Sequence, residues 1–191
     1  MGVKMRQFLL MFIVALTLGG CTMKDDPNPL AGFDPFMGTW TGTMPDGSTT
    51  DIMAFEWIEE GIVRHRHALG DGSYGGVTFY FWDEAANEGQ GNIVYHYFTT
   101  SEHQTQGVGA FDGAVFTAYE EVTGHEVVTA VRSHMELVDG VIVSSSEVLI
   151  SGEWQPGPGF NYHSTPDAVV PLDEELLPNF LIAGRYRPNN N

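Results

Sequence analysis

Residues 77–100 read VTFYFWDEAANEGQGNIVYHYFTT, and this stretch decides the fold. It contains two runs, 77–82 and 93–100, that consist almost entirely of β-branched and aromatic residues. Such residues favour strands because their side chains pack well on a pleated surface. Between the runs lies a glycine-containing cluster, Glu88-Gly89-Gln90-Gly91, which is typical of a turn. The stretch therefore predicts a β-hairpin.

The same pattern continues on both sides of this hairpin. Further β-rich runs occupy 115–119, 127–137 and 141–150, and turn clusters such as Asp112-Gly113 and Asp139-Gly140 separate them. No comparable stretch before Pro166 keeps apolar residues at helical spacing. We therefore predict an all-β domain of consecutive hairpins with roughly eight to ten strands. Closure into a single antiparallel up-and-down β-barrel is expected, because closure removes the exposed edges of the sheet.

The first twenty residues have the features of a cleaved export signal. Lys4 and Arg6 precede an apolar run at 8–18, and two glycines follow directly before Cys21. The run is too short to remain as a membrane span. Residues 18–21, Leu-Gly-Gly-Cys, resemble the bacterial lipobox. The resemblance implies that Cys21 carries acyl chains and anchors the protein in the cell envelope. Thr22, rather than Asp, follows the cysteine, and in sorting of the enterobacterial kind this implies the outer membrane, facing the periplasm.

The rest of the chain divides by composition. Residues 21–35 are polar and rich in proline, which predicts a flexible tether, and 36–165 contain the predicted barrel. Residues 166–191 form a C-terminal extension, in which 173–177 are expected to make one short helical turn. The net charge of −17 repels nucleic acid and favours cationic or neutral ligands. The only cysteine is Cys21, so no internal disulfide is available.

The start of the predicted barrel resembles a known family. Residues 36–42 read FMGTWTG, similar to the Gly-x-Trp opening of lipocalin and calycin barrels, and 82–83 and 153–154 read WD and EW. These motifs resemble lipocalin-like bacterial domains of unassigned function over about residues 36 to 155. The resemblance implies an antiparallel barrel whose interior holds one small apolar ligand.

Residues 62–69 alternate two arginines with two histidines. Because side chains two residues apart on a strand point to the same face, Arg64 and Arg66 share one face, and His65 and His67 share the other. Apolar neighbours favour the histidine face as the inner one. Inward histidines would contact a ligand, a metal or haem, whereas inward arginines would pair with a carboxylate.

Other strand positions complete the candidate site. His96 shares its face with two apolar residues and is predicted to point inward, whereas His134 shares its face with charged residues and is predicted to point outward. The predicted ligand-binding residues are Trp40, His65, His67, Phe79, His96 and Arg132. No catalytic residue, metal ligand or cofactor is assigned.

The sequence lacks motifs that identify a specific catalytic or binding chemistry. It contains no Gly-x-Ser-x-Gly elbow, no phosphate-binding glycine loop and no His-Glu-x-x-His site. Glu120 and Glu121 are interpreted as a solvated edge, since adjacent strand residues point to opposite faces. The leading hypothesis is a lipid-anchored module that binds a small hydrophobic molecule. The alternatives are a lyase or isomerase acting on a small aromatic or carboxylate substrate, and a structural or interaction lipoprotein of the envelope.

Overall fold

The computed structural model describes residues 28–59, 61–101 and 103–177. The predicted export signal, the lipobox with Cys21 and the end of the C-terminal extension lie outside these residues. Within the described ranges, no helix combines the length and the apolar character needed to cross a bilayer.

Strands dominate the described residues. A 3-10 helix at Ala31–Phe36 precedes them, and a second 3-10 helix at Glu174–Leu176 follows them. A single turn at Ala86–Gly89, in which Asn87 and Glu88 have positive φ, interrupts them. The strands are β1 (Gly38–Thr43), β2 (Thr50–Glu59), β3 (Ile62–Leu69), β4 (Gly75–Asp83), β5 (Asn92–Thr99), β6 (Gln104–Asp112), β7 (Val115–Thr123), β8 (Val128–Val138), β9 (Val141–Ile150), β10 (Glu153–Pro156) and β11 (Phe160–Ser164).

These strands form one closed antiparallel barrel. Each strand from β1 to β9 pairs with the next, and β11 pairs with both β9 and β1, so ten strands complete the ring. The short strand β10 folds back on the second half of β9, while β11 pairs with its first half. The prediction of an all-β up-and-down barrel is confirmed.

The Asp-Gly turn between β8 and β9 shows how local sequence fixes this order. Asp139 and Gly140 both have positive φ, 51° and 80°, as the two central residues of a type I′ turn require. This turn twists in the same sense as the strands that it joins. A meander of adjacent hairpins follows from turns of this kind.

The 3-10 helix Ala31–Phe36, called the plug here, closes one end of the barrel. Phe33 and Phe36 are fully buried, and the ring of Phe33 lies 4.6 Å from that of Tyr80 and 5.1 Å from that of Phe116. A Cβ on Gly32 would lie 2.4 Å from the ring of Phe111, so the close approach requires glycine. Phe33 lies within the segment predicted to be a flexible tether. In the structure its ring fills the end of the barrel and belongs to the hydrophobic core.

A second apolar cluster lies on the outside of the barrel. Val77, Phe79 and Phe98 project outward from β4 and β5, and Leu172 and Leu177 of the C-terminal segment pack against them. The short helical turn predicted at 173–177 is present as the 3-10 helix that Asp173 caps. The C-terminal segment thus covers part of an outer face that would otherwise be exposed and apolar.

Candidate functional site

The barrel interior contains a cavity of about 500 Å³, called the central cavity here. Part of its wall comes from turn residues at the end opposite the plug, among them Tyr74, His103 and Pro158. Most of the remaining wall is apolar, from inward residues that include Met53, Phe116, Val122, Val131, Met135 and Val148. An adjoining recess of about 160 Å³ shares its wall with the cavity and is more polar. The volume falls within the range of roughly 300–1,000 Å³ that is usual for small-molecule sites.

A chain of hydrogen bonds crosses the polar side of this interior. Asp51, which is 1% exposed, accepts hydrogen bonds from Tyr162 Oη at 3.0 Å and from His67 Nδ1, also at 3.0 Å. The other ring nitrogen of His67 lies 2.7 Å from Tyr97 Oη, and Tyr97 donates to Tyr74 Oη at 2.9 Å. Both oxygens of Asp51 and both nitrogens of His67 therefore have partners.

Glu120 is the second carboxylate of the interior, and it lines both the cavity and the recess. In the described part of the chain, Thr105 is the one side chain that hydrogen-bonds it, by donating to Oε2. Burial raises the pKa of Glu120 to about 7, although the hydrogen bond from Thr105 and the nearby His67 act in the opposite direction. Desolvation dominates because a charged carboxylate loses most of its hydration there. Glu120 therefore changes its charge close to neutral pH.

His65 differs from its neighbour His67. Its ring stacks on Phe55 with centroids 4.2 Å apart and planes 4° from parallel. Both ring nitrogens are inaccessible to solvent and have no hydrogen-bond partner among the described residues. Burial lowers the pKa of His65 well below its ordinary value, and His67 lowers it further. His65 is thus a neutral, aromatic part of the wall.

The two histidines do not form a ready pair of metal ligands. Their ring centroids are 5.7 Å apart, but His67 has both nitrogens bonded and His65 has both covered. Among the described residues, no group of three or more His, Cys, Asp or Glu side chains has the arrangement to hold a metal ion. The arrangement does not fit ligation of a metal or haem by these two residues.

The arginines of β3 lie outside the barrel. Arg64 and Arg66 both bond Glu56, at 3.0 and 3.2 Å, and Arg66 also lies 3.7 Å from Glu174 of the C-terminal segment. The expectation that the histidine face points inward is correct for this strand. The alternative in which inward arginines pair with a ligand carboxylate is wrong, because the same alternation places them on the outer face.

The other predicted site residues do not line the central cavity. Trp40 is buried beside the plug, where its Nε1 donates to Phe36 O at 2.8 Å. Phe79 belongs to the outer cluster. His96 also lies on the outer face, with its ring 6.0 Å from that of Phe81, so the prediction that it points inward is wrong. Phe98, an apolar residue on the same face as His96, is buried under the C-terminal segment on the outside of the barrel and not in its interior.

Arg132 lines a separate depression of about 510 Å³ on the outer surface. It bonds Glu147 at 2.5 Å and lies 4.6 Å above the ring of Trp154. His134, predicted to point outward, lines both this depression and the central cavity and lies 3.8 Å from Glu136. These charged groups are about half exposed, and water screens their interactions. The enclosed interior is therefore the stronger candidate site.

The sequence interpretation missed most polar residues of the cavity. Glu120 was assigned to a solvated edge, but it follows Phe116 and Ala118 at spacings of two on β7, and all three point inward. That alternation was visible in the sequence. Asp51 and Tyr162 carry no comparable signal, because their contact joins residues that are 111 positions apart.

Comparisons with known proteins agree with the fold and go no further. No protein-family model matches the chain, and no curated protein sequence matches it. Among solved structures, the chain is similar to the crystal structure of Rv2717c from M. tuberculosis, with a TM-score of 0.50 and 13% identity, over 73% of this chain and 98% of that chain. At this identity the likeness shows a shared fold alone.

Proposed function

We propose that this protein binds one small, mostly apolar molecule inside its barrel. The observation that carries the proposal is the central cavity of about 500 Å³ within a closed barrel that is plugged at one end. A mainly apolar wall favours an apolar body, because transfer of such a body from water is favourable. A few polar groups gathered at one place would orient it. The cavity does not support the alternative of a solidly filled structural barrel.

We further propose that the module is held at a membrane through lipid on Cys21, with a lipocalin-like role in the cell envelope. The support is the lipobox-like sequence Leu18-Gly19-Gly20-Cys21. The described chain enters the barrel at the plug, and the turn residues that line the cavity lie at the other end. With the anchor on the plugged side, these turns would face away from the membrane. Radiolabelled palmitate in the wild-type protein, and its loss in Cys21→Ser, would test the anchoring.

Native mass spectrometry of the chain from Thr22 onward, which lacks the proposed lipid and can be purified without detergent, tests the binding function. A stoichiometric co-purifying molecule that is released on denaturation is expected, and its extraction would identify it. Ser133→Phe, which adds a ring on the inward side of β8, should abolish the bound mass. Thr117→Phe places a ring at an exposed, outward position of β7 that does not line the cavity, and it should leave the bound mass unchanged. An empty wild-type protein that also takes up no apolar probe would refute the proposal.

One observation favours a second candidate, an enzyme of the lyase or isomerase class. His67 lies between the Asp51 carboxylate and Tyr97, and Glu120 titrates near neutral pH beside the same recess. Such groups suit proton transfer on a bound molecule. If the protein abstracts a C–H proton, the extracted ligand should gain deuterium when it is incubated with wild-type protein in D2O, but not with Glu120→Gln. No exchange above the protein-free rate would exclude this chemistry.

A further inference from the structure

We infer that the central cavity selects apolar molecules that carry a protonated amine, and that Glu120 binds the ammonium group. The inference rests on the proposed binding function and names its ligand class. Its first support is the distribution of positive charge. The described residues include no lysine and three arginines, Arg64, Arg66 and Arg132, and each arginine lies on the outer face in an ion pair with a glutamate. None of them lines the cavity.

The second support is the distribution of negative charge inside the barrel. Asp51 is buried there and Glu120 is partly buried, and the two carboxylates differ in their partners. Asp51 is bonded at both oxygens by Tyr162 and His67, so it offsets any charge on that histidine. Glu120 has Thr105 as its one hydrogen-bonding side chain among the described residues and faces the open volume. A buried carboxylate with few donors is stabilised by a cation that brings its own.

The third support is the wall around Glu120. Tyr80, Tyr95 and Tyr97 line the same recess, and the negative charge of Glu120 contributes to the raised pKa of each phenol, after the larger effect of burial. Aromatic rings attract cations through their π faces. A bound carboxylate or phosphate would instead meet Glu120 with no lysine or arginine in the cavity wall, and Asp51 already pairs with His67. The net charge of −17 also draws cations toward the protein.

Three probes with the same eight-carbon chain test the inference, namely octylamine, octanol and octanoate, each titrated calorimetrically into the full-length chain after removal of any bound molecule. At pH 7.5 octylamine should bind at least about tenfold more tightly than octanol, and octanoate more weakly than octanol, because an ion pair in a buried site is poorly screened. If octanol binds and octylamine binds no more tightly, the inference fails and the binding function stands. If none of the three binds, both fail.

A matched pair of variants locates the ammonium group. Glu120→Gln should remove the preference for octylamine and leave octanol binding within about twofold, whereas Glu121→Gln makes the same change on the outward side of β7 and should alter neither. The preference should also fall about tenfold between pH 7.5 and pH 6, as Glu120 takes up a proton. The titratable groups that line the same interior as Glu120 are His65, His67, Tyr74, Tyr80, Tyr95, Tyr97, His103, His125 and Tyr162, and Asp51 is bonded to two of them, His67 and Tyr162. An unchanged amine preference in a folded Glu120→Gln protein would overturn the assignment.

Discussion

Replacement of Glu120 by Gln should change how the stability of the barrel depends on pH. In the folded protein burial raises the pKa of Glu120 from its ordinary 4.5 to about 7. Between these two values the folded state keeps a proton on Glu120 that the unfolded chain has released. The free energy of unfolding therefore falls as pH rises through this window. Gln has the same shape, accepts the Thr105 hydrogen bond through its amide oxygen and does not ionise, so the variant escapes this loss.

The size of the effect follows from the two pKa values. Their difference corresponds to a loss of about 3 kcal/mol for the wild-type protein between pH 4 and pH 8. Urea unfolding of the ligand-free proteins at a series of pH values, followed by tryptophan fluorescence, would measure it. The stability of Glu120→Gln relative to wild type should rise by about this amount over the series, and Glu121→Gln should follow the wild-type profile. Parallel profiles for wild type and Glu120→Gln would show that Glu120 is solvated and would refute the reasoning.

Three further substitutions test the packing of the interior. His65→Phe should stabilise the fold by about 1–3 kcal/mol, because it removes two buried nitrogens without partners and keeps a ring on Phe55. Tyr162→Phe should destabilise by about 1–3 kcal/mol, because Asp51 Oδ2 loses its donor in a buried site. Phe33→Ala, within the plug, should cost about 3–5 kcal/mol, because Phe33 is fully buried and leaves a cavity. Denaturant unfolding at constant pH measures all three.

An exposed position gives the control for these measurements. Val169 is 80% exposed, and Val169→Ala should change the free energy of unfolding by less than about 0.5 kcal/mol. A loss in His65→Phe would mean that the imidazole has a favourable contact in solution. A Phe33→Ala protein as stable as Val169→Ala would mean that the plug does not close the barrel.

The barrel could be predicted because its causes are local. Period-two runs, turn glycines and the Asp139-Gly140 hairpin are each visible within a few residues, and closure follows from the need to pair sheet edges. The contacts that build the cavity are not local. The hydrogen bond between Tyr162 and Asp51 forms because β1 pairs with β11 and closes the ring. No short stretch of sequence predicts this pairing.

The direction of each strand face was predictable in some places and not in others. On β3 the arginines mark the outer face by their charge. On β4 and β5 both faces are apolar, because the C-terminal segment buries the outer one with Leu172 and Leu177. The apolar neighbours of His96 were therefore no guide to the inner face, and the prediction that His96 points inward was wrong. Glu120 shows the opposite difficulty, since a charge at an inward position breaks the pattern that identifies the inner face.

Glu120 and His65 also connect the stability of the fold with its proposed function. Asp51 is more deeply buried than either, but it has a partner at each oxygen, and every described arginine is paired on the outside. His65, whose ring nitrogens have no partner among the described residues, and Glu120, which Thr105 alone bonds through a side chain there, both line one recess beside the central cavity. Departures from full hydrogen bonding lower stability, and natural proteins keep them mainly at functional sites. Packing alone would favour an apolar residue at position 120, so the proposed bound molecule would account for Glu120 better than the architecture of the barrel does.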